Sequence, residues 1–261
     1  MENNQPRRAA LLTAAAAMLA ALASQCLTVY ANYHGQWTAL FCVGETYAGG
    51  MNGLPPAYVF SGSNGYDGQM YRVVAHDPWL KTDLWRSLDG PEHRYRRILM
   101  PALAWLLAGG RTEFIDAAYI ALVLGFLGLG VYFLGLWLAR EGLPAWTGAA
   151  FLLLPGVLIS LDRMTPDIAL YALTAALLSV WRGRLTPAAV FILAIAPLVR
   201  DLGVLLVAAA AASLALEKRW KQTGFALLCI LPYAAWLFWL RGAITTAAAE
   251  CPSGGTQRRK K

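Results

Sequence analysis

The chain has 261 residues, 58% of them hydrophobic and 14% charged, with a mean hydropathy of +0.47, which excludes an ordinary soluble domain. The formal net charge of +7 comes from 22 Lys and Arg against 15 Asp and Glu. These basic residues are scattered at the ends of apolar runs instead of forming a stripe with interleaved aromatics, so nucleic acid is not expected as a partner.

The sequence reads as an all-α, multi-pass membrane protein. Apolar runs fall at about residues 10–30, 98–109, 116–139, 145–160, 166–180, 187–199, 202–216 and 223–240, and a helix needs ~20 apolar residues to cross a bilayer. Arg7 and Arg8 precede the first run, and "ASQC" follows within it. That has the outline of a secretory signal, but its length and the spans after it favour an uncleaved anchor over residues 1–30. Residues 31–115 follow, with Gly and Pro punctuation in "GGMNGLPP" and "SGSNG" predicting ordered loop. "QMYRVVAHDPWLKTDLWRSL" then predicts a short amphipathic helix broken at Pro78. Residues 116–241 form the helical bundle, and residues 242–261 a polar tail expected to be unstructured.

Orientation turns on residues 98–109. If they do not cross, the short loops with Arg140, with Arg182 and Arg184, and with Lys218, Arg219 and Lys221 share a side with Arg7 and Arg8. Lys and Arg accumulate on the cytoplasmic side, so seven spans are favoured, with residues 31–115 extracytoplasmic in a bacterial inner membrane. An eight-span alternative would instead bring the basic tail "TQRRKK" inside. Of the four cysteines, none has C-x-x-C spacing, which argues against a zinc or redox site. Cys26 and Cys229 read as small hydrophobes. Cys42 and Cys251 would share the oxidising side, where a pairing is open but not compelled.

The chemically richest stretch is "GYDGQMYRVVAHDP", residues 65–78. Asp67 before Gly68 is an ordinary way to make a turn or start a helix. Together with "HRYRRILMPALAWLL" further on, however, the stretch resembles the first external loop of the GT-C superfamily of polytopic glycosyltransferases. The likeness is to bacterial members with an aromatic-Asp-Gly-Gln-x-Tyr signature and to polyprenyl-phosphate-dependent mannosyltransferases. Three later stretches, "WLAREGLPAWTGAAFLLLPG" (137–156), "RMTPDIALYAL" (163–173) and "LVRDLGVLL" (198–206), resemble later turns of that superfamily. This chain is shorter than its usual members.

The resemblance implies a catalytic carboxylate at Asp67, flanked by Tyr66, Gln69 and Tyr71 as substrate-binding residues. Transfer from a polyprenyl-phosphate sugar to a cell-envelope glycan or lipid acceptor needs a base for the acceptor hydroxyl; a single base suits an inverting reaction. The leaving phosphate needs cations, and Arg suits it by its bidentate fork. Candidates are Arg94, Arg96, Arg97, Arg163 and Arg200, all on the side of Asp67 in the seven-span topology. The "HRYRR" run serves membrane-lipid head groups equally well, and Arg200 with Asp201 also reads as a neutralised intramembrane pair. His76, Asp77, Asp162, Asp167 and Asp201 are supporting candidates. No cofactor is expected; a divalent metal is allowed but no ligand spacing demands it. The rival function is a non-catalytic subunit or a transporter for lipid-linked glycans. A transporter would string its ionisable residues along a midplane path, whereas these gather on one face.

Overall fold

In the computed structural model, residues 4–250 are described, and the chain is nearly all-α. The helices are α1 (Gln5–Tyr33), α2 (Glu45–Ala48), α3 (Asp67–His76), α4 (Pro91–Tyr95), α5 (Leu99–Leu107), α6 (Thr112–Arg140), α7 (Pro155–Arg163), α8 (Asp167–Val180), α9 (Pro187–Val199), α10 (Gly203–Leu216), α11 (Trp220–Leu228) and α12 (Leu231–Glu250). A two-residue parallel pairing of β1 (Val43–Gly44) with β2 (Val59–Phe60) is the one sheet among the described residues.

Three stretches are long and apolar enough to cross a membrane: α1, α6 and Trp220–Ala247, which joins α11 to α12. A fourth is added if the 3₁₀ segment Ala145–Leu153 and α7, bent by 68°, count as one broken span. Helices α8, α9 and α10 have 14, 13 and 14 residues. At 1.5 Å per residue they are only about 20 Å long, against a hydrocarbon core of ~30 Å. The expected bundle of seven spans is therefore not confirmed. The physical reason lies in the punctuation: Pro155 and Pro187 open new helices, Pro166 caps one, and each lacks the N–H that would continue the helix before it. Helix α5 has nine residues, far short of a crossing, and packs against α3, α6 and α9.

One apolar core runs through α1, α3, α5, α6, α8 and α9, and α1 lies against α6 along one side of it. Ala10, Ala14, Ala17 and Ala21 are all buried at helical spacing. Small side chains there let the helices approach closely: a Cβ on Gly135 of α6 would lie 3.4 Å from that of Ala10 and 2.5 Å from the Ala145 carbonyl oxygen. The loops carrying Arg140, Arg182 and Lys218 meet at one end of the bundle. Arg140 donates to the carbonyls of Leu178, Ser179 and Trp181 at the end of α8, and Gln222 accepts from the Leu185 amide.

Two expectations need correction. The segment after residue 65 forms a helix that ends before Pro78, as predicted, but α3 is not an interfacial amphipathic helix: every residue from Gly68 to His76 is buried. Gln69, Tyr71, Arg72 and His76 Nε2 all find partners within the fold, which is what makes that burial tolerable; His76 Nδ1 is buried without one among the described residues. Residues 242–250 are not unstructured tail but the last turns of α12, where Ala-rich sequence continues the helix. Cys251 lies outside the described residues, and with it the question of its pairing to Cys42.

Candidate active site

Helix α3 begins at Asp67, with Tyr66 extended before it (φ −138°, ψ 174°). A carboxylate in the first turn suits the positive end of the helix dipole, so the helix-start reading of Asp67 holds geometrically. The neighbouring glycine has a steric reason. A Cβ at position 68 would stand 2.1 Å from the Arg163 carbonyl oxygen and 3.0 Å from that of Phe41, so only glycine lets α3 rest on the end of α7. Gln69 is a strut: its Oε1 accepts from the Gly44 amide at 2.9 Å and its Nε2 donates to the Asn64 carbonyl at 2.8 Å, pinning the loop that leads into Asp67.

Asp67 is half exposed and accepts a bond of 3.0 Å on Oδ1 from Arg94; its Oδ2 has no partner among the described residues. Arg94 also grips Asp89 with two bonds of 2.8 Å and sits over the Tyr71 ring at 5.7 Å. The Arg94 bond holds the Asp89 carboxyl below its ordinary range. Three residues on, Arg97 donates to Tyr71 Oη at 2.5 Å and to His93 Nε2 at 2.8 Å. A guanidinium has donors only, so His93 Nε2 is the acceptor and its proton is on Nδ1. Burial, then the charges of Arg97 and Arg94, push the His93 pKa down, consistent with a neutral ring.

The arginines differ in how their charge is met. Arg96 pairs with Glu92 at 2.7 Å, Arg163 with Asp162 at 2.7 Å, Arg200 with Asp167, and Arg94 with Asp67 and Asp89. Arg97 alone of the five has no carboxylate partner among the described residues, although it is buried and its Nε is unpartnered. Asp201 accepts from Tyr233 of α12 and lies close enough to act on both His93 and Arg96. Arg163 covers the Tyr66 ring at 5.5 Å.

The structure thus gathers Asp67, Tyr71, Arg94, Arg96, Arg97 and Asp201, and leaves Tyr66 with Arg163, and Asp167 with Arg200, as adjoining pairs. It does not bring His76 and Asp77 to Asp67. They stand at the far end of α3, about 13 Å along its axis. His76 Nε2 meets Asp116 of α6 at 3.1 Å, and Asp77 organises a turn by accepting from the Lys81 and Thr82 amides.

Arg72, Asp89, His93, Asp116 and Tyr233 were not expected from the sequence. Arg72 is 1% exposed and forms a bidentate pair with Asp116 at 2.9 Å, with a further bond to the Pro55 carbonyl. Its signal was the i, i+4 spacing of Arg72 and His76 on one helix face, combined with a lone Asp in the second turn of the 29-residue apolar helix α6.

A groove of about 480 Å³ opens beside this cluster, walled by Trp79, Ile98, Leu198, Trp236 and Trp239. Trp236 and Trp239 stack at 4.7 Å, and Trp236 Nε1 donates to the Tyr95 carbonyl. The groove is almost wholly apolar, and Ile98 in its wall directly follows Arg97.

Comparison with known protein families, with curated proteins and with solved structures finds no match to this chain.

Proposed function

We propose that this chain is a membrane glycosyltransferase of the GT-C type, moving a sugar from a polyprenyl-phosphate donor to a cell-envelope glycan or lipid acceptor. The observation that carries the reading is the presence in one cluster of a half-exposed carboxylate, Asp67, held by Arg94, and a buried guanidinium, Arg97, linked to Arg94 through Tyr71 and met by no carboxylate among the described residues. An acid-base group and an anion-hungry cation are the two things such a transfer needs.

In the proposed reaction the acceptor oxygen attacks the anomeric carbon while Asp67 takes its proton. The bond from that carbon to the phosphate oxygen breaks, and the electron pair leaves with the polyprenyl phosphate. Arg97, with Arg96 beside it, stabilises the departing charge; the buried setting strengthens this because fewer waters screen it. The Trp-walled groove next to Arg97 suits the isoprenoid tail. Arg94 orients Asp67 by holding one oxygen and leaving the other for the acceptor. The enzyme would lie in the bacterial inner membrane with this cluster facing outward and the Arg140, Arg182 and Lys218 loops in the cytoplasm, following the basic-loop bias.

The test is incorporation of labelled sugar from defined polyprenyl-phosphate donors by the purified chain, with Asp67→Asn as control. Transfer by the wild type that the variant lacks supports the reading; no transfer from any polyprenyl-phosphate sugar, or equal transfer by a folded Asp67→Asn, defeats it.

A further inference from the structure

Surface charge is met unevenly along the molecule. Arg86, Arg96 and Arg111, in the segment that leads into α6, each pair with a carboxylate, of Asp83, Glu92 and Glu113 in turn. The opposite end of α6, about 40 Å from Arg111, is different. There Arg140 and Arg182 donate to the carbonyls that end α8, where cations suit the negative end of the helix dipole. Glu141 and Glu217 on this surface are already taken, by Arg140 and Arg219. Arg184, Lys218 and Lys221 are exposed and have no carboxylate partner among the described residues.

The three long apolar stretches found among the described residues all reach this surface. Helix α6 finishes at Arg140. A Cβ on Gly135 would lie 3.4 Å from that of Ala10, which brings the first turns of α1 to the same level. The start of Trp220–Ala247 is tied to the loop that Arg140 holds: the Leu185 amide donates to Gln222 Oε1 at 2.9 Å, and a Cβ on Gly183 would meet Glu217 Oε1 at 3.0 Å. Spans that begin and end at one level put the bilayer head groups beside it. Leu216 and Trp220, 86% and 69% exposed, are interleaved in the chain with Lys218 and Lys221. That mixture of apolar, aromatic and cationic side chains suits the boundary between head groups and acyl chains.

We propose that Arg184, Lys218 and Lys221 form a binding surface for anionic phospholipids, with the cations on the head-group phosphates and Leu216 and Trp220 seated at the acyl boundary. The surface is separate from the Asp67 cluster and stands without the glycosyltransferase reading.

The experiment uses the full chain in phosphatidylcholine nanodiscs doped with a photoactivatable phosphatidylglycerol, the labelled residues being mapped by mass spectrometry. Labelling is expected within residues 181–186 and 216–225, displaced when unlabelled phosphatidylglycerol replaces part of the phosphatidylcholine, and weakened as salt rises. Each cation beside an anionic surface contributes about fivefold. Arg184→Gln with Lys218→Gln and Lys221→Gln should therefore lower the apparent affinity roughly 100-fold. Lys218 holds a left-handed turn (φ 58°), and replacing it can disturb the join of α10 to α11. Arg184→Gln with Lys221→Gln is thus the second variant, expected to lose roughly 25-fold. Arg86→Gln with Arg111→Gln removes two cations already met by carboxylates and should change labelling by less than about twofold. Unchanged labelling of the Arg184 and Lys221 double variant, an equal loss in the Arg86 and Arg111 control, or displacement by soluble polyglutamate as effective as by phosphatidylglycerol overturns the proposal.

Discussion

Arg97 donates a 2.5 Å hydrogen bond to the phenol of Tyr71, and its other partner is His93, so neither side-chain partner of this buried cation is a carboxylate. That relationship makes Arg97 the residue on which an incoming phosphate should depend most. Arg97→Gln keeps hydrogen-bonding capacity but removes the charge, and hydrogen bonds to charged groups are worth ~1.5–3 kcal/mol. The apparent KM for a polyprenyl-phosphate sugar should rise by about tenfold or more, with Arg97→Lys intermediate because it lacks the fork. A folded Arg97→Gln protein with unchanged donor KM would remove the phosphate assignment.

Asp67→Asn should lose ~10²–10⁴-fold in transfer rate, the range of a positioned acid-base group, while its elution profile stays that of the wild type. Asn can still accept the Arg94 bond through its amide oxygen. A purely structural Asp67 would therefore leave the rate nearly intact, which is the outcome that moves the weight to a non-catalytic subunit.

Gly68→Ala should destabilise the chain by about 1–3 kcal/mol, the usual cost of overpacking, because the added carbon meets the Arg163 carbonyl oxygen. Gly125→Ala is the matched control: it sits on α6 with nothing within 4 Å of the new carbon, and helix propensity favours Ala. A thermal-shift comparison in one detergent decides it. Equal melting temperatures for the two variants would mean that α3 does not rest on α7 as described.

Breaking the Arg72–Asp116 pair should cost more than any other ion pair described here. Arg72→Met strands a carboxylate next to His76, and removal of one partner from a buried pair typically costs ~3–5 kcal/mol. The double variant Arg72→Met with Asp116→Leu should recover part of the lost melting temperature, since no lone charge remains. No recovery in the double variant would show that the packing of Arg72 matters and its charge does not.

Stability should fall on mild acidification, and His93 should be a cause. Burial and the nearby arginines depress its pKa below the ordinary 6.5, so the folded chain resists a proton that the unfolded chain accepts. Its contribution is full above 6.5 and is lost as the pH falls through the folded value. Asp89 has the same sign, but its window lies below the ordinary 3.8 and does not overlap. Melting temperatures taken from about pH 7.5 to about pH 5 should decline less steeply for His93→Gln than for the wild type; parallel curves would refute the assignment.

Membrane character and helical content were legible in the sequence, because each depends on local composition: runs such as residues 116–139 are apolar whatever surrounds them. The end of α3 before Pro78 was legible for the same reason, since a ring without an N–H acts on its own neighbours. The number of full spans was not. Hydropathy sums over a window and does not register that Pro155, Pro166 and Pro187 divide it into helices too short to cross. In the site, the sequence marked Asp67 and the arginines as chemically able, but partner choice is a matter of distance between residues far apart in the chain. Only the tertiary structure gave Arg94 to Asp67 and Asp89, turned His76 away to Asp116 across 40 residues, and left Arg97 without a carboxylate among the described residues. Charge type is written in a residue; whether that charge is met is decided by the packing of α3, α4 and α12 around it.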